Sequence, residues 1–208
     1  MKKKFTFIDL FAGIGGFRLA MEKHGLQCVF SSEIDTKCQK IYEQNFGEIP
    51  FGDITKIHSK EIPDFDILAA GFPCQPFSYA GKLDGFEDKT RGTLFFDIVK
   101  IIKEKSPKMF LLENVKGLKS HLEGQTMDII LNTLKKLDYT IYWDILDTYD
   151  FGIPQKRPRW YCVGFKEKKL FKFPKGISQK SSLKSILETK NNDPKLKLTK
   201  HENDQIDF

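Results

Sequence analysis

One cysteine stands apart from the other three. In "GFPCQPFS", Gly71 to Ser78, Cys74 sits between Pro73 and Pro76, directly after the apolar run "FDILAAGF". Each proline locks φ and removes a backbone donor. The thiol is therefore not packed inside a strand or helix but presented on a stiffened loop at a strand end. A second group of residues reads as a binding turn. "DLFAGIGGF" places Gly13, Gly15 and Gly16 between a strand and a helix, where glycine permits φ > 0 and close approach of a ligand to the backbone. The dinucleotide fingerprint asks for a third glycine where Arg18 stands, and no Lys-Ser/Thr pair follows, so neither that fingerprint nor a P-loop fits. Glu33 lies twenty residues after Gly13, the distance at which an acid meets ribose hydroxyls. Asp53 follows at the next strand end. An adenosine-type ligand without a pyrophosphate suits this set best; a tight turn with no ligand leaves Glu33 and Asp53 unexplained.

The elements that position these residues alternate along the chain. "FTFIDLF", "CVFSSEI", a short "EIPFG", "DILAAGF" and "KMFLLENV" read as strands. Between them, "GGFRLAMEKHG", "TKCQKIYEQNFG" and "GTLFFDIVKIIKEKSP" carry apolar residues at helical spacing, and "TMDIILNTLKKLDY" adds a further helix. "TIYWDILDTYDFG" and "RWYCVGF" close the pattern as strands antiparallel to each other. Strand–helix alternation predicts an α/β fold: a mostly parallel sheet with one antiparallel edge strand and helices on both faces. Ligands in such sheets collect beyond the C-terminal strand ends. The glycine turn, Glu33, Asp53, Cys74, Glu113 and Asn114 all fall just after or at the end of a strand. Gln155, Arg157 and Arg159 alternate with Lys156, Pro158 and Trp160, which puts them on one face of a strand.

The 208 residues suit one domain. With 40% apolar residues the chain can build a core, and no run approaches the ~20 apolar residues of a membrane span. The basic N-terminus is a poor signal peptide, so a cytoplasmic location is expected and no membrane partner. Cys28, Cys38 and Cys162 lie in strand or helix patterns as small buried groups. No Cys-x-x-Cys pair occurs, and the four histidines show no ligand spacing, so no metal is expected. The net charge of +6 is uneven: 23 Lys+Arg meet 22 Asp+Glu up to Phe165, and 11 meet 6 beyond it. A basic tail suits a nucleic-acid partner and equally a solvated end. We divide the chain into a catalytic, cofactor-binding domain, 1–165, and a basic C-terminal extension, 166–208, in which periodicity fades.

"FIDLFAGIGGFRLAME", "GFPCQPFS", "LLENVKGL" and "GIPQKRPRWYCVGF", in that order, resemble the catalytic region of DNA (cytosine-5) methyltransferases, from about Phe5 to Phe165. The resemblance implies a Rossmann-like methyltransferase fold and S-adenosylmethionine as cofactor. Phe11 would contact the adenine, with Ala12, Gly13, Ile14, Gly15 and Gly16 lining the site. Glu33 would bind the ribose, and Asp53 the adenine amino group, with Ile34 and Ile54 packing on the ring. Pro73 and Leu94 would border the methionine end. Cys74 would be the nucleophile that adds to C6 of a flipped cytosine in double-stranded DNA. Glu113 would hydrogen-bond at N3 and the amino group, Asn114 would fix the loop, Arg159 would contact O2, and Arg157 with Arg159 would favour the thiolate. Gln75, Ser78, Lys82, Arg91 and Gln155 would meet the DNA, the first four from a loop that closes over the base. A cysteine protease pairing Cys74 with His121 leaves the glycine turn and Glu33 without a purpose.

Members of this family continue past the last strand into a target-recognition domain and a final helix. Residues after Phe165 are too few to supply them. Three readings stay open: a catalytic subunit that needs a second chain carrying the recognition domain, a truncated inactive fragment, and a non-catalytic module that binds cofactor or DNA. The family also implies a restriction-modification system with a cognate endonuclease.

Overall fold

The computed structural model describes residues 4–73, 94–177 and 182–186. Of the expected site residues, Cys74, Gln75, Ser78, Lys82 and Arg91 lie outside the described residues.

Six strands form one sheet in the order β2-β1-β3-β4-β6-β5. They are β1 (Thr6–Leu10), β2 (Gln27–Ser32), β3 (Ile67–Gly71), β4 (Met109–Val115), β5 (Thr140–Asp147) and β6 (Pro158–Phe165). The neighbours among β1 to β4 run parallel, and β6 runs antiparallel to both β4 and β5. The antiparallel strand was expected at the edge. It lies one place in, because β6 inserts between β4 and β5 and leaves β5 as the edge. "EIPFG" was expected as a strand of its own; it contributes a single parallel bridge, Phe51 to Ser32. Two residues between Pro50 and the turn at Asp53 are too few to build a ladder.

Helices cover both faces. In β1, Phe7, Ile8, Asp9 and Leu10 are all buried, which a strand achieves only when both of its faces are packed. One face carries Ile8, Leu10, Leu68, Ala70, Phe110 and Leu112 into a core with Phe95, Ile98 and Ile102 of α3 (Leu94–Lys105) and Met127, Ile130 and Leu134 of α4 (Gln125–Lys135). The positions of these residues within each helix fall three or four apart, the stripe that faces a sheet. The other face meets α1 (Gly16–Lys23) and α2 (Thr36–Phe46). Asp35 caps α2 by accepting from the backbone N–H of Lys37, at 2.7 Å, and of Cys38. Gly47 ends α2 at φ 72°, the left-handed turn that a glycine makes without strain.

Beyond β6, residues 166–177 pack back along β5. Phe171 packs at a tilt against Tyr142 and Phe165, the Tyr142 hydroxyl donates to the Lys169 carbonyl, and the Ile177 N–H donates to the Asp150 carbonyl. Among the described residues no helix is long and apolar enough to cross a membrane.

Candidate active site

The C-terminal ends of β1, β2 and β3 open onto a cavity of about 300 Å³. Phe11, Ser32, Glu33, Ile34, Gly52, Asp53, Ile54, Gly71, Pro73 and Leu94 line it. Each β-strand delivers its residues at the same level, since Leu10 pairs with Ser32 on one side and Ala70 on the other. Seven of the expected cofactor residues, Phe11, Glu33, Ile34, Asp53, Ile54, Pro73 and Leu94, therefore meet in one place. Ala12 is buried behind it, and Gly13 to Gly16 form the turn at its rim.

Backbone conformation marks the same spot. Phe11 has φ 56°, in the left-handed region, which costs a non-glycine residue about 1–3 kcal/mol and persists where surrounding structure enforces it. Gly13 and Gly15 follow at φ 55° and 92°. The turn they make is held by Glu33, whose Oε2 accepts from the Gly13 N–H at 2.7 Å while Oε1 accepts from the Asp35 N–H at 2.8 Å. A carboxylate so fixed retains free lone pairs on both oxygens and presents them to the cavity. Asp53 is oriented by Thr55, whose hydroxyl and N–H both donate to Oδ1. That hydroxyl bond, outweighing desolvation, holds its carboxyl below the usual range.

At the β3–β4 side stands a second constellation. Glu113 pairs across β4–β6 with Tyr161, and Arg159 approaches it two residues along, its Nε 3.0 Å from Glu113 Oε1. Burial raises the Glu113 pKa above the usual carboxylate value, against the opposing pull of Arg159 and Arg157. Gly71 makes this possible: a Cβ there would lie 3.3 Å from Glu113 Oε2 and 3.7 Å from the Phe17 ring. Asn114 is 1% exposed and ties the strand end to the neighbouring loop, donating from Nδ2 to the Phe72 carbonyl at 3.0 Å. Its Oδ1 accepts from the Val115 N–H. The backbone immediately before Cys74 is thus anchored to the strand that carries Glu113.

Two expected placements change. β6 begins at Pro158, so Gln155 and Arg157 precede the strand and do not share a strand face with Arg159. Gln155 lies in a bend, its carbonyl accepting from the Thr148 hydroxyl, and the Arg157 N–H donates to Asp147 Oδ1. Of the three cysteines expected to be buried, only Cys162 is; Cys28 and Cys38 are half-buried, because β2 and α2 leave those positions partly open to solvent. Burial pushes the Cys28 thiol up to about 11 and the fully buried Cys162 thiol further upward. Sequence reasoning missed Ser32, Gly52 and Gly71 as cavity residues. Gly71, beside the "FPC" run, carried the readable signal, a glycine at a strand end next to a reactive group. Among the described residues no cluster of three His, Cys, Asp or Glu could hold a metal ion.

A protein-family model for C-5 cytosine-specific DNA methylases matches residues 5–207. The type II methyltransferase M.NgoBI of Neisseria gonorrhoeae is 60% identical over 184 residues, covering 88% of this chain and 58% of the relative. M.HaeII of Haemophilus aegyptius, also a type II methyltransferase, is 58% identical over 187 residues, covering 90% of this chain and 58% of that protein. Among solved structures, a Spodoptera frugiperda DNMT2 mutant superimposes with a TM-score of 0.72 at 24% identity, over 91% of this chain and 61% of its own. The likeness to that structure speaks to the fold. The chain spans a little over half the length of the curated relatives it matches.

Proposed function

The chain belongs to the C-5 cytosine-specific DNA methylase family, and on that premise we propose that it carries the methyl-transfer chemistry of a DNA cytosine-5 methyltransferase within a restriction-modification system. The observation that carries the reading is the juxtaposition of two sites. A cavity suited to an adenosine-bearing ligand ends at Pro73 and Leu94, the residues that bracket the Cys74 segment. The half-buried Glu113–Arg159 pair stands beside it.

The cavity fits S-adenosylmethionine on its own features: a fixed carboxylate at Glu33, an oriented acceptor at Asp53 and apolar walls from Phe11, Ile34 and Ile54. When bound, the cofactor supplies an electrophilic methyl group. Glu33 takes the ribose hydroxyls, and Asp53 accepts from the adenine amino group. The turn from Ala12 to Gly16 lines the rim, and Pro73 and Leu94 close the far end.

The protein's remaining task is to make cytosine C5 a nucleophile. Cys74, as thiolate, would bond to C6 and shift the C5–C6 π pair onto C5, where that pair would form the bond to the methyl group as the donor's sulfonium sulfur keeps the pair of the broken S–CH3 bond. Loss of the C5 proton to a base would then leave the C5–H pair to re-form the C5–C6 double bond, while the C6–S pair departs with the Cys74 thiolate. Splitting one hard step in this way is covalent catalysis. Glu113 donates at N3 as charge builds on the ring, a role that needs a protonated carboxyl, which burial favours. Arg159 orients Glu113 and reaches O2, and Arg157 adds positive potential that favours the thiolate. Asn114 sets the backbone ahead of Cys74. The reaction requires the base outside the helix, with Gln75, Ser78, Lys82, Arg91 and Gln155 meeting the displaced strand or its phosphates.

On this reading the chain acts together with a target-recognition segment, carried on a second chain or elsewhere in the same protein. The test is covalent trapping. Duplex DNA containing 5-fluorocytosine, with S-adenosylmethionine, should yield a protein–DNA adduct with the chain alone or mixed with the remaining portion of the Neisseria gonorrhoeae relative. Cys74→Ser should abolish it. Absence of adduct in both mixtures would overturn the catalytic reading.

A further inference from the structure

Arg18 occupies the position where a dinucleotide-binding turn would carry its third glycine, and nothing in the proposed chemistry uses it. It is 6% exposed. Burying a guanidinium is costly unless it is paired, and this one is paired on every side. Its Nε donates to Glu22 at 2.8 Å, one turn along α1. Nη1 and Nη2 reach the two Glu48 oxygens at 3.0 and 3.2 Å, and Nη1 also lies 3.3 Å from the Tyr42 hydroxyl. The guanidinium carbon stands 4.6 Å over the Phe46 ring.

These partners lead to both walls of the cavity. Phe46 fills the space that a side chain on Gly15 would need, and its neighbour Asn45 donates from Nδ2 to the Ile14 carbonyl at 3.0 Å. The end of α2 therefore presses on the glycine turn from behind. Glu48 follows the left-handed turn at Gly47 and opens the short stretch to Phe51, Gly52, Asp53 and Ile54. There Phe51 stacks on Phe30 at 4.7 Å, and its backbone bonds Ser31 and Glu33. Arg18 grips Phe46 on the turn side and Glu48 on the Asp53 side.

We propose that Arg18 is a positioning residue that sets the glycine turn and the 48–54 wall at a fixed separation, and that the adenosine-binding affinity of the cavity depends on it. The ligand part of this statement rests on the cofactor reading above; the coupling of the two walls does not.

The test uses the full 208-residue chain. S-adenosylmethionine binding is measured by calorimetry at a temperature where every variant is folded by circular dichroism. Arg18→Met should weaken binding about tenfold, equivalent to about 1.4 kcal/mol. Arg18→Lys, which keeps the charge but not the fork to Glu48, should fall between that variant and the wild type. Tyr139→Phe removes a hydroxyl bond to the Pro107 carbonyl far from the cavity; it should lower the melting temperature and leave affinity unchanged. An Arg18→Met chain that loses melting temperature but binds within twofold of wild type would reduce Arg18 to a stabilising residue and overturn the proposal. Glu48→Gln, a milder change at the same pair, replaces Arg18→Met if that variant does not fold. Amide exchange on the ligand-free chain separates the two claims. Arg18→Met should speed exchange in 12–16 and 48–54 together, and unchanged exchange in either segment overturns the coupling. If wild type itself fails to bind the cofactor, the cofactor reading fails while the exchange result still decides the clamp.

Discussion

Gly13 and Gly15 both have positive φ, yet alanine at the two positions should behave very differently. At Gly13, φ 55°, a Cβ would meet nothing within 4 Å. The left-handed conformation costs an L-residue about 1–2 kcal/mol, and the stiffer unfolded chain returns about 0.4–1 kcal/mol. Gly13→Ala should therefore destabilise by about 0–1.6 kcal/mol. At Gly15, φ 92°, the new carbon would overlap the Phe46 ring. That ring is confined by Arg18 on one side and by Tyr42, 4.7 Å away, on another, so it cannot swing aside without cost. Overpacking of this kind adds about 1–3 kcal/mol, for a total of about 1–4.6 kcal/mol. Urea denaturation of the two single variants, of Phe46→Ala and of Gly15→Ala/Phe46→Ala gives the answer through a double-mutant cycle. In the Phe46→Ala background, Gly15→Ala should cost no more than Gly13→Ala does in the wild type. Equal destabilisation by Gly13→Ala and Gly15→Ala in the wild type, or no coupling between Gly15 and Phe46, would refute the packing argument.

Asp9 is fully buried, and burial pushes its pKa up to about 8 against the opposing pull of the Arg18 backbone N–H and guanidinium. Between about pH 4 and pH 8 the folded chain keeps a proton that the unfolded chain has released, so stability falls as pH rises through that window, by up to about 1.4 kcal/mol per pH unit. Asp9→Asn cannot titrate; its stability relative to wild type should grow from pH 5 to pH 8, and parallel curves would contradict the burial argument. Asn114→Ala should lose about 1–3 kcal/mol in denaturant unfolding, because the Phe72 carbonyl and the Val115 N–H both lose their partner. Glu33→Gln can satisfy only one of the two N–H donors that Glu33 now accepts; S-adenosylmethionine binding by calorimetry should weaken at least about tenfold, equivalent to about 1.4 kcal/mol.

The parts of the site that could be read from the sequence are those encoded locally. The glycine turn follows β1 directly, and Glu33, Asp53 and Glu113 announce themselves as acids at the ends of apolar runs. What escaped depends on partners remote along the chain. The run "EIPFG" has the composition of a strand, but only Phe51 finds a neighbour, since the turn at Gly52 and Asp53 follows at once. Gln155 and Arg157 alternate with Lys156 and Pro158 as strand residues do, yet β6 starts after them because Asp147 captures the Arg157 N–H in a turn. The insertion of β6 inside the sheet left no trace in periodicity, which reports how deeply a strand is buried and not which strands flank it. Arg18 looked like a failed fingerprint; its meaning lies in Phe46 and Glu48, some thirty residues away.

The place of β6 also bears on how the protein is made. Glu113 gains Arg159 only when a strand that begins 49 residues after the start of β4 slots between β4 and β5, a long-range closure of the sort that folds slowly. A ribosome-bound chain that has released only the first four strands already owns the nucleoside cavity but not the charged pair beside it. On the function proposed above, the cavity lining would be in place before β6, the last strand among the described residues, adds Arg159 beside Glu113.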